Sequence, residues 1–272
     1  MDDVFSLSGT VVVITGAGGL LGGHHAEAVA KAGGTPILLD IAHQRISVLA
    51  EDINKRFGCK SLAFAVDITD EKAVEKNCKQ ILSLFGKIDG LVNNAANNPT
   101  VTADGLAGSG RIEHFSVEDW SADLAVGLTG AFICSKHYGS AIAKQGGSII
   151  NISSDLGLIG PDQRLYRRIG VADDQQAAKP VTYSVVKTGI IGLTRWLATY
   201  WAEQGVRCNA LCPGGVENNQ SDSFIANIKT RIPMGRMARP DEYSGSLIYL
   251  LSSASSYVTG AVLVVDGGRT AW

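Results

Sequence analysis

The chain carries little charge and almost no excess of either sign. Charged residues make up 18% of its 272 residues, below the roughly 25% of an average soluble domain. Its 24 Lys plus Arg and 26 Asp plus Glu leave a formal net charge of −2, which excludes the basic footprint of a general nucleic-acid binder. With 45% hydrophobic residues, it also lacks the composition that keeps a chain disordered. Cysteine is scarce and unpatterned: five residues, an odd number, with no Cys-x-x-Cys. Cys208 and Cys212 lie four apart, but Pro213 follows directly, so free, buried thiols of a reducing compartment are expected rather than disulfides or a metal knot. His24, His25 and His43 have no metal-ligand spacing and read as surface or packing residues, so no metal site is expected. No apolar run approaches the ~20 residues of a membrane helix, and the opening Met-Asp-Asp lacks the positive flank of a signal peptide. A cytoplasmic protein with neither membrane nor nucleic-acid partner is expected.

Glycine, by contrast, is plentiful: 32 residues against only 7 Pro, well above an average near 7%, and much of it falls where strands should hand over to helices. Short β-branched runs alternate with longer helical stretches. Thr10–Thr15, Pro36–Asp40, Leu62–Val66, Ile88–Val92, Ser148–Ile152, Val206–Leu211 and Ala261–Val265 are the expected strands. Most are continuously apolar, as strands buried on both faces of a parallel sheet are. Helices are expected at about Leu20–Lys31, Ala42–Phe57, Asp70–Phe85, Ser116–Lys144, Val181–Glu203 and Pro240–Leu251. Repeated β-then-α units imply right-handed crossovers and an α/β, doubly wound parallel sheet of about seven strands with helices on both faces. No linker, repeat or composition shift divides the chain, so residues 1–272 are read as one domain, a size common for single α/β domains. Ligands of such sheets bind at the carboxyl ends of the strands. The long irregular segments Asn93–Phe115, Asp155–Pro180 and Pro213–Met237 fall on that edge and are therefore expected to be substrate loops.

The first strand runs into Thr15-Gly16-Ala17-Gly18-Gly19-Leu20-Leu21-Gly22 and then a helix. A glycine turn of this kind lets the backbone approach a pyrophosphate, while the helix start offers N–H groups and a positive dipole. Asp40 ends the next strand, 18 residues after Gly22, near the spacing at which a carboxylate accepts hydrogen bonds from the adenosine ribose. That carboxylate would repel a 2′-phosphate, and no Arg or Lys stands in the turn or directly after Asp40. NAD is therefore expected in preference to NADP. Tyr183 and Lys187 are i, i+4 on a helix, on one face. A neighbouring ammonium lowers the pKa of a phenol from about 10 toward a range useful for proton transfer.

These pieces stand in an order that resembles the short-chain dehydrogenase/reductase family along nearly the whole chain. The resemblance rests on the TGAGGLLG turn, Asp40, Asp67 in VDITD, Asn93-Asn94-Ala95-Ala96, Asn151-Ile152-Ser153-Ser154, Tyr183-Ser-Val-Val-Lys187, Pro213-Gly214-Gly215-Val216 and the tail SSYVTGAVLVVDGG. It implies a Rossmann-type fold and a cytoplasmic oxidoreductase that assembles as a homodimer or homotetramer. It also implies Tyr183 as general acid/base, Lys187 as the residue that lowers its pKa and binds the nicotinamide ribose, and Ser154 as the partner of the substrate oxygen. Gly16, Gly19, Leu20 and Gly22 would hold the pyrophosphate, Asp40 the ribose, and Asp67, Ile68, the Asn93 backbone and Ala95 the adenine side. Pro213, Gly214 and Val216 would meet the nicotinamide.

The sequence departs from the family pattern in three places. Gly16, Gly19 and Gly22 fit TGxxGxxG, the spacing of the family's extended subtype, which often handles nucleotide sugars. The fourth-helix step Gly127-Leu128-Thr129-Gly130 puts glycine where the family's catalytic asparagine stands. Ser154 and Tyr183 are 29 apart, so an insertion lies over the substrate site. It carries Arg164, Arg167 and Arg168, whose planar forks suit phosphate or carboxylate. The insertion and the closing GGRTAW resemble a subset linked to bacterial surface-sugar and flagellin-glycan pathways. The expected function is interconversion of a secondary alcohol and a ketone on a polar small molecule of carbohydrate metabolism, such as a sugar or sugar phosphate. Two alternatives stand beside it: an epimerase or dehydratase that retains its NAD, and a catalytically silent NAD-binding protein.

Overall fold

The apolar runs form strands because every second residue must be buried against helices on one face and the intervening ones against helices on the other. The structure is a computed structural model and describes residues 3–97, 101–102, 105–106, 110–168 and 170–272. Seven strands form one parallel sheet: β1 (Val11–Thr15), β2 (Thr35–Asp40), β3 (Leu62–Ala65), β4 (Gly90–Asn93), β5 (Gly147–Ile152), β6 (Val206–Pro213) and β7 (Val262–Val265). Their order is β3-β2-β1-β4-β5-β6-β7. Val13 pairs with Ile37 on one side and Leu91 on the other, and Ile150 pairs with Asn209. Val101–Thr102 and Gly105–Leu106 pair antiparallel in a separate two-stranded sheet.

The helices are α1 (Leu20–Lys31), α2 (His43–Phe57), α3 (Glu71–Phe85), α4 (residues 117–142), α5 (Val181–Tyr200), α6 (Asp222–Lys229) and α7 (Ser244–Leu251). Residue parity splits the core into two layers. Val11, Val13, Leu39, Leu91 and Ile149 pack with α3, α4 and α5, whereas Val12, Ile14, Leu38, Val92 and Ile150 pack with α1, α2 and α7. The chain builds outward from β1 to β3, then returns to place β4 on the other side of β1. That reversal opens the ligand crevice of a doubly wound sheet at the carboxyl ends of β1 and β4.

The expected elements form with shifted ends. The fourth strand is Gly90–Asn93 rather than Ile88–Val92, and Asp70 caps α3 by accepting from Lys72 N and Ala73 N instead of lying inside it. The stretch from Pro240 to Leu251 begins as a 3-10 turn, Pro240–Tyr243, with proline at its first position, where a missing N–H costs nothing. α6 forms inside the third loop, where no helix is expected from the sequence. It starts at Ser221, whose hydroxyl accepts from Phe224 N. α4 is continuous but widens into π turns at Ala125–Thr129 and Ser135–Gly139.

Among the described residues no metal-binding group of His, Cys, Asp and Glu occurs, and no helix is long and apolar enough to cross a membrane. All five cysteines are free. His25 is a packing residue in full: it is completely buried, neither ring nitrogen has a hydrogen-bond partner, and burial lowers its pKa to about 4.

Candidate active site

The cleft at the carboxyl ends of the strands has a volume of about 570 Å³ and runs from Asp40 and Asp67 at one end to Ser154, Tyr183 and Arg269 at the other. Its floor begins at the glycine turn. Gly16 takes φ +62°, and a Cβ there would stand 2.7 Å from the Ala95 backbone, so the position admits only glycine without rearrangement. Gly22 is buried beneath the cleft, where a Cβ would meet the Gly16 carbonyl at 2.3 Å. It therefore lets α1 pack closely against the turn. α1 starts at Leu20 with no side chain capping it and no acid in its first turn. An uncapped helix start opening into a cleft is suited to an anion. Gly16, Gly19 and Leu20 line the cleft there, and these features fit a pyrophosphate.

Asp40 stands at the end of β2 beside that turn. Its Oδ2 accepts from Gly18 N and its Oδ1 from Ala42 N, both at 2.9 Å. Asp67 and Ile68 line the same end, with Asp67 Oδ1 accepting from the Thr69 amide and hydroxyl, a pairing that holds its carboxyl below the usual range. Asn93 does not line the cleft. It is buried behind it, donating from Nδ2 to Ser135 Oγ and Asn151 Oδ1. The cleft wall is formed instead by Asn94, Ala95, Ala96 and Asn97. Asn94 Nδ2 donates to the carbonyls of Thr15 and Gly16 and so ties β4 to the glycine turn.

At the other end the structure brings Ser154, Tyr183 and Lys187 into one wall. β5 delivers Ser154, and α5 delivers the other two from consecutive turns. Ser153 Oγ donates to the Lys187 carbonyl at 2.7 Å, and Lys187 Nζ donates to the Ile152 carbonyl at 2.9 Å, so strand and helix are pinned to each other through the site. Burial lowers the Lys187 pKa to about 8. Burial also pushes the Tyr183 phenol up, opposed by its hydrogen bond with Ser154 and by the charge of Arg269. The upward direction differs from the sequence expectation because burial outweighs these two effects; the Lys187 amine donates to Ile152 and sits 5.8 Å from the phenol ring centroid.

Among the cleft residues outside the sequence reading are two ion-paired ones and two from the insertion. Asp155, directly after Ser154, accepts from the Ser154 hydroxyl at 2.8 Å through Oδ1 and from Arg269 Nη1 at 2.8 Å through Oδ2. Arg269 reaches it because the Asp266-Gly267-Gly268 turn folds the chain back after β7. Gly267 and Gly268 both have positive φ, and Asp266 accepts from the amides of Gly268 and Thr270. The signal was available: an Asp-Gly-Gly turn directly after the last strand returns the next side chain to the ligand edge. The other two, Tyr166 and Lys179, come from the 155–180 insertion. Leu165 and Tyr166 pack with Phe224, Ile228, Ile232 and Met237 of the third loop, and Asp162 joins Arg231 at 2.8 Å. The two loops thus form one cap over the cleft.

Arg164, Arg167 and Arg168 do not line the cleft. All three are exposed; Arg164 pairs with Asp162 at 2.8 Å and Arg167 with Asp173 at 3.6 Å. Pro213, Gly214 and Val216 do line it. Gly127 lies in the first π turn, where a Cβ would approach Val186 Cγ1 to 2.5 Å. The space of a side chain is therefore taken by α5. A cavity of about 10 Å³ adjoins Gly127, Asp123, Tyr183 and Lys187, about the size of one water. Arg45 is a further residue the sequence reading missed: its Cδ lies 3.5 Å from a Cβ built on Gly18, next to Asp40.

A family model described as enoyl-(acyl carrier protein) reductase matches residues 16–270. The chain is 34% identical over 276 residues to an NADP-dependent mannitol dehydrogenase of Hypocrea jecorina, covering 98% of this chain and 95% of the relative. It is 33% identical over 267 residues to a 3-oxoacyl-(acyl-carrier-protein) reductase of Aquifex aeolicus, covering 96% and 98%. In structure it resembles a gluconate 5-dehydrogenase from Burkholderia cenocepacia, crystallised with NADP and tartrate, at 27% identity and a TM-score of 0.85, covering 99% and 98%. A match of this extent places the glycine turn, the cleft and its polar wall in one shared scaffold: the chain belongs to the short-chain dehydrogenase/reductase family of oxidoreductases.

Proposed function

We propose that the chain interconverts a secondary alcohol and a ketone on a polyhydroxylated small molecule, with NAD as the preferred cofactor and Tyr183 as general acid/base. One observation carries the reading: Ser154, Tyr183 and Lys187 line the same cleft as an uncapped helix start behind a glycine turn. Gly16, Gly19 and Leu20 would hold the pyrophosphate, Asp40 the adenosine ribose, and Asp67, Ile68 and Ala95 the adenine side. Lys187 would hold the nicotinamide ribose, and Pro213, Gly214 and Val216 the nicotinamide edge. When bound, the nicotinamide supplies the hydride acceptor or donor.

In the oxidative direction Tyr183 takes the alcohol proton on its phenolic oxygen. Burial opposes the phenolate, and Ser154 relieves that cost: its single proton serves Asp155 while Tyr183 is neutral and turns to the phenolate when it forms. Lys187, with its pKa near 8, accepts or releases a proton close to neutral pH. The one-water cavity beside Gly127 and Asp123 offers the proton a way out, in the place where the family pattern has an asparagine. Asp40 supports NAD by presenting a carboxylate where a 2′-phosphate would have to sit, although Arg45 lies near enough to soften that exclusion. The names of the mannitol and gluconate enzymes support a polyol-type substrate, and the polar side chains of Asn97, Lys179 and Asn218 along the cleft agree with it.

Incubating the purified chain with NAD and a panel of sugar alcohols, and following absorbance at 340 nm, tests the proposal. Net NADH formation is expected. A changed product without net NADH would instead favour the cofactor-retaining epimerase or dehydratase. Bound NAD with no product would leave a silent binding protein. Self-association as a dimer or tetramer belongs to the same proposal. Phe132, Trp196 and Tyr200 are exposed on α4 and α5, which supports it, and light scattering measures it.

A further inference from the structure

Tyr166 completes an apolar cluster that a phenylalanine would fill as well. It is the last residue of a 3-10 turn, Gln163–Tyr166, within the insertion. Asp162 caps that turn by accepting from Arg164 N and is itself tied to the third loop by Arg231. At the far end of the insertion the Gln163 side-chain amide accepts from Lys179 N at 2.8 Å and donates to Lys179 O at 3.3 Å. The turn is thus held from both sides. The ring it carries is set against Phe224 of α6, with centroids 5.9 Å apart and planes at 37°, in the cluster of Leu165, Ile228, Ile232 and Met237.

Packing accounts for the ring and leaves the hydroxyl unexplained. Among the described residues the Tyr166 hydroxyl takes part in no hydrogen bond, yet it is not sealed from solvent as the unpartnered Ser184 Oγ and His25 nitrogens are. It is open to the cleft, which Tyr166 lines. A hydroxyl drawn partly out of water is costly unless something bonds it. This one also belongs to the catalytic end. Burial pushes its pKa up to about 12, opposed by Arg269, and it feels the charges of Tyr183 and Asp155 in the same wall. It therefore stays protonated near neutral pH, a poor acid or base, but able to donate one hydrogen bond and accept others. The complement of such a group is another neutral hydroxyl. Ser154 and Tyr183 address the reacting carbinol from β5 and α5, whereas Tyr166 comes from the cap and meets what the substrate carries beside it.

Resting on the dehydrogenase reading above, we propose that Tyr166 determines specificity: its hydroxyl bonds a hydroxyl on the carbon next to the reacting carbinol, so that the chain selects vicinal diols over isolated secondary alcohols. The insertion then recognises substrate through this phenol, while its three arginines stay in solvent.

The test uses the full chain saturated with NAD and two probes, 2,3-butanediol and 2-butanol. They share a four-carbon skeleton and a secondary carbinol and differ in one neighbouring hydroxyl. The parent should favour the diol in kcat/KM. Tyr166→Phe should lower the diol's value by about 3–10-fold, the worth of one neutral hydrogen bond, and leave that of 2-butanol unchanged. The loss should fall on KM rather than kcat, as loss of uniform binding does. The variant keeps the ring, so a parental thermal melt controls for the packing with Phe224. An equal fall for both alcohols would overturn the proposal, since the hydroxyl would then serve Tyr183 or the cap. No fall for either would overturn it too, since the ring alone would matter. Ligand-detected NMR titration of the NAD-saturated chain with the same probes reads the preference without turnover. Tighter binding of the diol, lost in Tyr166→Phe, supports the proposal, and equal binding of the two probes by the parent overturns it. Failure of the dehydrogenase reading is distinguishable from these results: the parent would oxidise neither probe nor any sugar alcohol, while the diol preference and its loss in Tyr166→Phe would remain in the titration.

Discussion

Replacing Asp155 with asparagine keeps the shape of the side chain and removes one charge from a buried pair. Arg269 Nη1 and Asp155 Oδ2 are 2.8 Å apart, with side chains 8% and 3% exposed. Breaking such a pair by removing one partner costs about 3–5 kcal/mol, because the other charge stays buried without compensation. For a chain of this size each kcal/mol moves Tm by roughly 2–4 °C, so Asp155→Asn should melt roughly 6–20 °C below the parent. The double variant Asp155→Leu with Arg269→Met removes both charges at similar volume and should recover most of that loss. Turnover should not recover with it, since Ser154 would still lack the carboxylate that now accepts its proton. Thermal melts and kcat on the single and double variants form the assay. If Asp155→Asn melts with the parent, the buried-pair reasoning fails. If the double variant regains full kcat, Asp155 does not orient Ser154.

Three further outcomes follow from the geometry. Asp40→Ala should weaken NAD and narrow its advantage over NADP, and adding Arg45→Ala should restore part of that advantage; the ratio of kcat/KM for the two cofactors reads both. Gly127→Ala should lower stability by about 1–3 kcal/mol through overpacking against Val186, although an ordinary helix interior would gain about 1 kcal/mol from the same change; denaturant unfolding gives the sign. His25 has a folded pKa of about 4 against 6.5 for the free side chain, so the folded state binds fewer protons and stability falls as pH drops through that window. The loss should approach about 3 kcal/mol by pH 4, and His25→Leu should flatten that part of the pH–stability curve.

The sheet, its helices and the position of the cleft were legible in the sequence because burial on both faces writes itself as continuous apolar runs, as in Thr10–Thr15. Glycine spacing marked the turn because Gly16 has no room for a Cβ. What stayed hidden depends on how loops fold back across the sheet. Asp155 and Arg269 are more than a hundred positions apart in the chain and meet only because β5, β7 and the Asp-Gly-Gly turn converge. The insertion placed its arginines outward and its lysine inward, a choice made by Asp162, by the Leu165 and Tyr166 packing, and by the Gln163 clamp. Composition could not show it. The end of β4 buries the Asn93 side chain and turns Asn94 to the cleft, a difference that two adjacent asparagines do not display in sequence.

The central claim is that the Tyr183 phenol moves the proton while the glycine turn holds the cofactor, and Tyr183→Phe measured for both properties tests it most directly. NAD affinity, followed by fluorescence titration, should be nearly unchanged, while kcat falls by roughly 10²–10⁴-fold. Near-parental turnover in a variant that still binds NAD would contradict it.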